Sequence, residues 1–186
     1  TLAMSSAASD VYKRQDYIHI DIMDGHYVPN ITFGPNIVKS LRKVTSKILD
    51  VHLMIKPVKK YINEFVEAGS DIITFHPEVD DNPEEIIKMI SDAEIKAGIA
   101  IHPEINITDI DHLFSKVQQI IVMTVTPGFS GQKFMHDQVQ KIKDLDEIRK
   151  NNNYNYEIAV DGGVNNKNAK ICKDNGANVL TLGSYL

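Results

Sequence analysis

The sequence is poor in several features that define common classes of protein. Its single cysteine, Cys172, cannot form a disulfide within the chain. This is typical of a reducing compartment, and we therefore expect a cytoplasmic protein. No apolar run approaches the ~20 residues that span a bilayer, so we expect no membrane-spanning helix. Basic residues do not outnumber acidic ones: the formal net charge of −5 argues against nucleic acid as a partner.

The composition is otherwise that of one globular domain. The chain has 186 residues, of which 42% are apolar and 24% charged, and this length is typical of a single domain. Residues 1–15, TLAMSSAASDVYKRQ, are the exception, because they show neither a periodic apolar face nor a β-branched run. They also lack the basic start and apolar stretch of a secretory signal. We interpret 1–15 as an unrelated tail, an assembly scar or a disordered segment, and 16–186 as the domain.

Seven short runs rich in β-branched residues recur along the domain. They are nearly continuously apolar, as expected of strands that are buried on both faces of a parallel sheet. The predicted strands cover 17–24, 48–55, 71–76, 98–102, 119–125, 157–162 and 178–184. Segments with the apolar stripe of a helix lie between them, at 58–69, 82–98, 135–150 and 165–177.

This alternation of strands and helices indicates repeated βα units and a parallel sheet. A doubly wound open sheet and a (β/α)8 barrel both fit it. The dinucleotide-binding version of the open sheet lacks support, since no G-x-G-x-x-G follows the first strand. Polar residues stand at the C-terminal ends of many different strands, which is typical of a TIM barrel whose site is built from its βα loops. We therefore predict an α/β fold of the TIM-barrel type.

Histidine and aspartate occur inside strands that are otherwise apolar. Residues two apart in a strand face the same way, so His19 and Asp21 share one face of the first strand. His52 lies in the next strand, and Asp161 ends a later one. A single buried histidine is usually a hydrogen-bonded core residue, but buried carboxylates nearly always have a partner or a metal. Two histidines and two aspartates directed inward suit one divalent metal ion: Zn2+, Fe2+, Mn2+ or Co2+.

Three consecutive βα loops near the end of the chain are rich in glycine. They are TPGFSGQKF (126–134), DGG (161–163) and GS (183–184). Glycine lets backbone N–H groups approach an anion closely, and barrels usually bind phosphate after strands seven and eight. A tight turn alone would explain any one of these loops, but the three together favour a phosphate site.

The remaining histidines give a weaker signal. His26 lies in a loop, and His76 and His102 each close a predicted strand and precede a proline. We expect these three to be solvent-facing loop residues, with contact to a substrate as the alternative. His112 and His136 fall in helical segments, and we expect them on the surface.

Several segments resemble ribulose-phosphate 3-epimerases in both order and spacing. They are HIDIMDGHYVPNITFGP, DVHLMI-KP, VMTVTPGFSGQKF, VDGGVN and the final LGS, and the resemblance covers 16–186. It implies a TIM barrel that interconverts D-ribulose 5-phosphate and D-xylulose 5-phosphate in the pentose phosphate pathway. It also implies a sugar phosphate as the small-molecule partner, and a homo-oligomer for an intact family member.

The resemblance also implies roles for individual residues. His19, Asp21, His52 and Asp161 would bind the metal, and Asp21 and Asp161 would be the two acid–base residues. Met23, Met54 and Met123 would form a lid over the reacting carbon, and the glycine-rich loops would contact phosphate and substrate. The implied substrate contacts are His52, Met23, Met54, Met123, Gly128, Phe129, Ser130, Gly131, Gly162, Gly163, Gly183 and Ser184.

The implied chemistry agrees with these residue types. Epimerisation beside a ketone removes a proton from one face of a carbon and returns one to the other face, which two carboxylates on separate strands can do. A metal ion acting as a Lewis acid would stabilise the enediolate formed between the two steps. Apolar thioethers would exclude water, and exclusion of water strengthens that electrostatic effect.

Two elements of the family are not recognisable in the sequence. They are the opening strand, which carries a substrate-contacting serine, and the last helix, so we predict an incomplete barrel with seven strands. One alternative is therefore a truncated, non-catalytic fragment of such an enzyme. Another is an allulose-6-phosphate 3-epimerase, which could use the same residues. A hexulose-phosphate lyase of the same fold is disfavoured, because it uses a different set of carboxylates and lysine.

Overall fold

A computed structural model describes residues 15–80 and 82–183, and a single parallel β-sheet lies at its centre. Seven strands are hydrogen-bonded to one another in the order in which they occur along the chain. They are β1 (Tyr17–Met23), β2 (Ile48–Met54), β3 (Ile72–Phe75), β4 (Lys96–Ile101), β5 (Gln119–Met123), β6 (Glu157–Asp161) and β7 (Val179–Leu180). The predicted tail, apart from Gln15, lies outside the described residues.

The sheet is strongly curled. Five strand spacings separate β1 from β6, which would place them about 24 Å apart in a flat sheet. Instead, the Tyr17 hydroxyl donates a hydrogen bond to Glu157 Oε2 at 3.0 Å, and His19 Nε2 lies 3.8 Å from Asp161 Oδ2. Within the described residues β1 and β7 are not paired with each other. The prediction of an incomplete TIM barrel with seven recognisable strands is confirmed.

Within residues 15–80 and 82–183, five α-helices and several 3-10 helices connect the strands. The helices are α1 (Pro35–Arg42), α2 (Ile62–Glu67), α3 (Pro83–Asp92), α4 (Val139–Asn152) and α5 (Ala169–Asp174). At the start of α3 the Asn82 side chain accepts a hydrogen bond from the Glu85 N–H, and Pro83 occupies the first turn. Among the described residues, no helix has the length and apolar character needed to cross a membrane.

The structure contains one helix that the sequence did not predict, and other helices are shorter than the predicted segments. Helix α1 was not predicted, because Val38 is its one fully buried residue and its apolar stripe is short. The segments predicted at 58–69 and 165–177 contain α-helices of six residues each, flanked by turns. Between β4 and β5 the structure has 3-10 turns at Ile107–Asp109 and Asp111–Lys116.

The hydrophobic core lies between the outer face of the sheet and the helices. On β2, Leu49, Val51 and Leu53 point outward into this core and are 0% exposed. The alternate residues of the same strand point into the barrel, and two of these are polar. Ala100, Ile121, Met123 and Ala159 form a small apolar cluster inside the barrel. This alternation places the polar strand residues inside the barrel, where the candidate site lies.

Candidate metal centre and active site

The first two strands bring three of the predicted ligands together. Asp21 pairs in register with His52 across β1 and β2, and His19 pairs with Asp50 one layer below. His52 Nδ1 lies 3.1 Å from Asp21 Oδ1, and His19 Nε2 lies 3.3 Å from the same oxygen. One carboxylate oxygen therefore faces two imidazole nitrogens.

The fourth predicted ligand reaches this group from the other side of the barrel. Asp161 ends β6, and its Oδ2 lies 3.8 Å from His19 Nε2 and 3.9 Å from His52 Nδ1. One ligand atom from each of His19, Asp21, His52 and Asp161 lies within 4.8 Å of the other three. The structure thus brings together the four residues that the sequence singled out, and they could hold a metal ion.

The ring of His19 is held by a buried network that the sequence reasoning missed. Its Nδ1 lies 2.8 Å from Asp50 Oδ2, and Asp50 Oδ1 accepts a hydrogen bond from Gln119 Nε2 at 3.0 Å. Since a carboxylate accepts, Nδ1 of His19 carries a hydrogen and Nε2 faces the cluster. The sequence feature that could have revealed Asp50 is the alternation of β2, which puts Asp50 on the same inward face as His52.

These residues fit a divalent cation. Within the described residues, His19 Nε2 is buried and makes no hydrogen bond, although it faces two carboxylate groups. Two imidazole nitrogens and two carboxylate oxygens are a donor set that zinc and other first-row metals accept. A carboxylate on the second nitrogen of a ligating histidine is also typical of metal sites, and Asp50 provides one.

The surroundings of the two aspartates shift their pKa values in opposite directions. Burial opposes ionisation of Asp21, but the imidazoles of His19 and His52 outweigh it and hold the pKa of that carboxyl well below its usual range. Burial raises the pKa of Asp161, and the charge of Asp21 adds to this effect. Carboxyls whose pKa values are pushed apart in this way are typical of acid–base pairs.

His19 has a raised affinity for protons. Burial lowers the pKa of its imidazole, but the carboxylates of Asp50 and Asp21 outweigh burial and raise that pKa well above the ordinary value. A cation at this site therefore competes with a proton for His19 Nε2, so we expect metal binding to weaken in acid.

The expectation that His76 faces solvent is wrong. Its side chain is 0% exposed, and its Nε2 lies 3.0 Å from His52 Nε2. Burial lowers the pKa of His76 to about 4. In the sequence, a histidine that closes a predicted strand before a proline does not reveal which way its ring turns. The expectation for His26 is confirmed, since its side chain is 75% exposed.

The three predicted lid methionines lie in two separate clusters. Met23 and Met54 are register partners at the ends of β1 and β2 and pack with Val28. Met123 lies in the barrel interior with Ala100 and pairs in register with Asp161. All three are buried. They surround the carboxylates from two sides, and their role as a lid stays a prediction.

The glycine-rich loops lie at the same end of the barrel as the aspartates. Gly162 and Gly163 follow Asp161 directly, with φ of +118° and +65°, and a side chain at Gly163 would collide with the backbone of Phe134. The 128–131 loop, with Phe129 and Ser130 exposed, is tied to the β1–α1 loop by a hydrogen bond from Asn30 Nδ2 to Gly128 O. The turn geometry alone accounts for Gly163. Phosphate contact by these loops and by Gly183 stays a prediction, and Ser184 lies outside the described residues.

A solved structure of similar fold supports the barrel architecture. The 3-keto-L-gulonate-6-phosphate decarboxylase from Vibrio cholerae superposes with a TM-score of 0.69. The superposition covers 94% of this chain and 79% of that chain, at 16% sequence identity. At this identity the likeness concerns the fold.

Sequence comparison identifies the family. The model of the ribulose-phosphate 3-epimerase family matches residues 3–186. The ribulose-phosphate 3-epimerase of Bacillus subtilis (strain 168) is 42% identical over 184 residues, which cover 98% of this chain and 85% of that protein. The enzyme of the same name from Buchnera aphidicola subsp. Schizaphis graminum is 41% identical over 170 residues, 91% of this chain and 75% of that protein. These matches, together with the cluster of two histidines and two aspartates, show that the chain belongs to the ribulose-phosphate 3-epimerase family.

Proposed function

We propose that this protein interconverts D-ribulose 5-phosphate and D-xylulose 5-phosphate with two carboxylates, of which one removes the C3 proton and the other delivers a proton to the opposite face of C3. The observation that carries this proposal is the convergence of Asp21 and Asp161. They come from β1 and β6, and both face His19 Nε2, at 3.3 Å and 3.8 Å. Family membership supports the choice of substrate.

The two carboxyls are suited to opposite parts in the reaction. Inversion at a carbon requires one group to take a proton from one face while another delivers a proton to the other face. Asp21 has a lowered pKa and accepts a proton when ionised, whereas Asp161 has a raised pKa and can hold one to deliver. In the reverse direction the two residues exchange these parts.

The same four residues would hold one divalent cation: Zn2+, Fe2+, Mn2+ or Co2+. When bound, such an ion would act as a Lewis acid that stabilises negative charge developing on the substrate oxygens. On the side of each ring that faces away from the cation site, Asp50 contacts His19 and His76 contacts His52. Their rings are thus held in place before any cation arrives.

Apolar side chains complete the proposed site. Met23 and Met54 are 9% and 2% exposed, and they cover the end of the barrel beside Asp21. Excluding water there would strengthen the interaction of charged groups with the substrate and limit loss of the carbanionic intermediate. We propose that the substrate phosphate binds at the 128–131 loop, at Gly162–Gly163 and at Gly183–Ser184.

Single substitutions of the two aspartates test the proposal. With Asp21→Asn or Asp161→Asn we expect the epimerisation rate to fall by at least 10²-fold, the lower range for loss of a positioned proton carrier. In D2O each variant should still exchange the C3 proton of one epimer, because one carboxylate remains on one face. The measurements are a coupled epimerase assay and proton NMR of the recovered sugar phosphate.

The control is Asp111→Asn, an exposed carboxylate of the β4–β5 connection, which should leave the rate unchanged. Near-normal turnover by Asp21→Asn would refute the assignment. A wild-type chain that is folded and binds metal but has no turnover would favour the non-catalytic alternative. Comparing kcat/KM for D-ribulose 5-phosphate and D-allulose 6-phosphate decides between a five-carbon and a six-carbon substrate.

A further inference from the structure

The two nitrogens of His52 have different partners. Nδ1 faces the aspartates, 3.1 Å from Asp21 Oδ1, whereas Nε2 lies 3.0 Å from His76 Nε2. Both rings are 0% exposed, so water does not replace either contact. In a hydrogen bond between two imidazole nitrogens, one nitrogen must carry the hydrogen and the other must accept it.

Only one of the two possible arrangements leaves His52 able to bind a cation. If His76 donates, His52 carries its own hydrogen on Nδ1, where it points at Asp21 and blocks a metal. If His52 donates from Nε2, its Nδ1 has a lone pair directed at Asp21 and Asp161. The hydrogen of His76 then sits on its Nδ1, on the far side of the ring.

The surroundings of His76 favour the second arrangement. Its Nδ1 lies 3.4 Å from Glu78 Oε1, and within the described residues it has no other polar partner. A carboxylate oxygen stabilises an N–H directed at it and repels a lone pair. The Tyr27 hydroxyl donates to the same Oε1 at 2.7 Å, and the Tyr27 ring packs 4.8 Å from the His76 ring. Tyr27 thus holds both Glu78 and His76 in place.

We propose that His76 is a positioning residue that, together with Glu78, selects the tautomer of His52 whose Nδ1 can bind the cation. This inference rests on the proposed metal site. His76 and Glu78 would then be two residues outside the four ligands that set the affinity of the site for the cation. Groups that hydrogen-bond to the second ring nitrogen of a ligating histidine typically change metal affinity 10- to 100-fold.

The test measures Co2+ binding by the full chain, from its visible d–d absorption during titration. We expect His76→Leu, which removes the acceptor, to raise the Kd for Co2+ by roughly 10- to 100-fold. His76→Gln should stay within about threefold of wild type, because an amide oxygen can accept the same hydrogen bond. The matched control is His102→Leu: its ring lies 6.5 Å from that of His76 and does not contact His52.

Two further measurements do not depend on whether the His76→Leu variant folds. Glu78→Leu removes the acceptor for His76 Nδ1 at a partly exposed side chain and should weaken Co2+ binding in the same direction as His76→Leu. In the wild type loaded with Zn2+, long-range 1H–15N spectra should show His52 protonated at Nε2 and His76 protonated at Nδ1. A hydrogen on His76 Nε2 would overturn the inference.

The outcomes separate this inference from the proposed function. If the wild type binds Co2+ and epimerises its substrate, while His76→Leu keeps the wild-type Kd, the inference is wrong and the proposed function stands. If the wild type binds no Co2+, both the metal site and the inference fall. Equal losses in His76→Leu and His76→Gln, with both variants folded, would also refute a role as hydrogen-bond acceptor.

Discussion

At the scale of single residues, the barrel interior has little spare room below the candidate metal centre. A Cβ added at Gly98 on β4 would lie 2.3 Å from Thr74 Oγ1 and 3.3 Å from Gln119 Cβ. Both neighbours are fully buried, and Gln119 also donates to Thr74 and to Asp50. The small residue on β4 therefore makes space for the network that orients His19.

We predict that Gly98→Ala destabilises the protein by about 1–3 kcal/mol, the usual cost of overpacking a filled core. The added methyl group must displace Thr74 or Gln119, and this is costly because both side chains are fully buried and have no free space to move into. Urea unfolding followed by circular dichroism measures the change. Gly183→Ala is the control, because a Cβ there meets no atom of the described residues within 4 Å. Equal stabilities of Gly98→Ala and wild type would contradict the packing argument.

The residue pattern of the site could be predicted only in part. The two-residue period of a strand places His19 and Asp21 on one face of β1 without any knowledge of the fold. That this face and His52 lie inside the barrel follows only once a barrel is assumed. The burial of His76 was not predicted, because the predicted strand ends at this residue and Pro77 follows it, so a turn into solvent was expected there. Its burial depends on the backbone direction into Pro77 and on packing against Tyr27.

At the scale of elements, a charged cluster fastens α4 to the strands beneath it. Asp146 on α4 accepts hydrogen bonds from Arg149 Nη2 and Lys150 Nζ, both at 2.6 Å. Arg149 in turn donates to Tyr156 O, just before β6, and to Asn178 Oδ1, just before β7. Asp146 thus orients the arginine that joins three elements.

The contribution of this cluster to stability should depend on pH. Burial opposes ionisation of Asp146, but hydrogen bonds from Lys150 and Arg149 outweigh it and lower the pKa of the carboxyl. Its stabilising effect is therefore complete above the pKa of an unfolded aspartate, about 3.9. The effect is lost as pH falls through the lower pKa of the folded state.

We predict that Asp146→Asn lowers the free energy of unfolding by about 1.5–3 kcal/mol at pH 7, the range for hydrogen bonds to charged groups. The difference from wild type should shrink below pH 4, as the native carboxyl also becomes neutral. Urea unfolding at several pH values measures this. The control Asp174→Asn removes an exposed pair with Lys170 and should cost less than about 1 kcal/mol. A difference that persists unchanged into acid would contradict the role of the charge.

The elements themselves were largely predictable, and the exceptions have physical reasons. Near-continuous apolar runs gave the seven strands to within a few residues, since strands buried on both faces tolerate few polar positions. Helix α1 was missed because Val38 is its one fully buried residue. The helix is also only eight residues long, and tertiary packing stabilises a helix this short.

At the scale of the whole molecule, the candidate metal centre joins the two sides of the sheet. Three of its ligands come from β1 and β2, and the fourth, Asp161, comes from β6, about 140 residues along the chain from Asp21. No continuous segment of the chain holds these groups together, so their approach depends on the curl of the whole sheet. The curl could be inferred from the sequence through the barrel prediction, but the distances between ligands could not.

A cation bound by these ligands should therefore stabilise the entire fold. A ligand that binds only the folded state at 100 times its Kd adds about 2.7 kcal/mol to the free energy of unfolding. For a domain of this size, that corresponds to a rise in Tm of roughly 5–10 °C. We predict such a rise when Co2+ is added to chelator-treated protein, measured by differential scanning calorimetry. Asp161→Asn should lose most of the rise, because it weakens the β6 side of the centre, whereas the exposed control Asp111→Asn should keep it. An equal rise in both variants would show that the metal binds elsewhere.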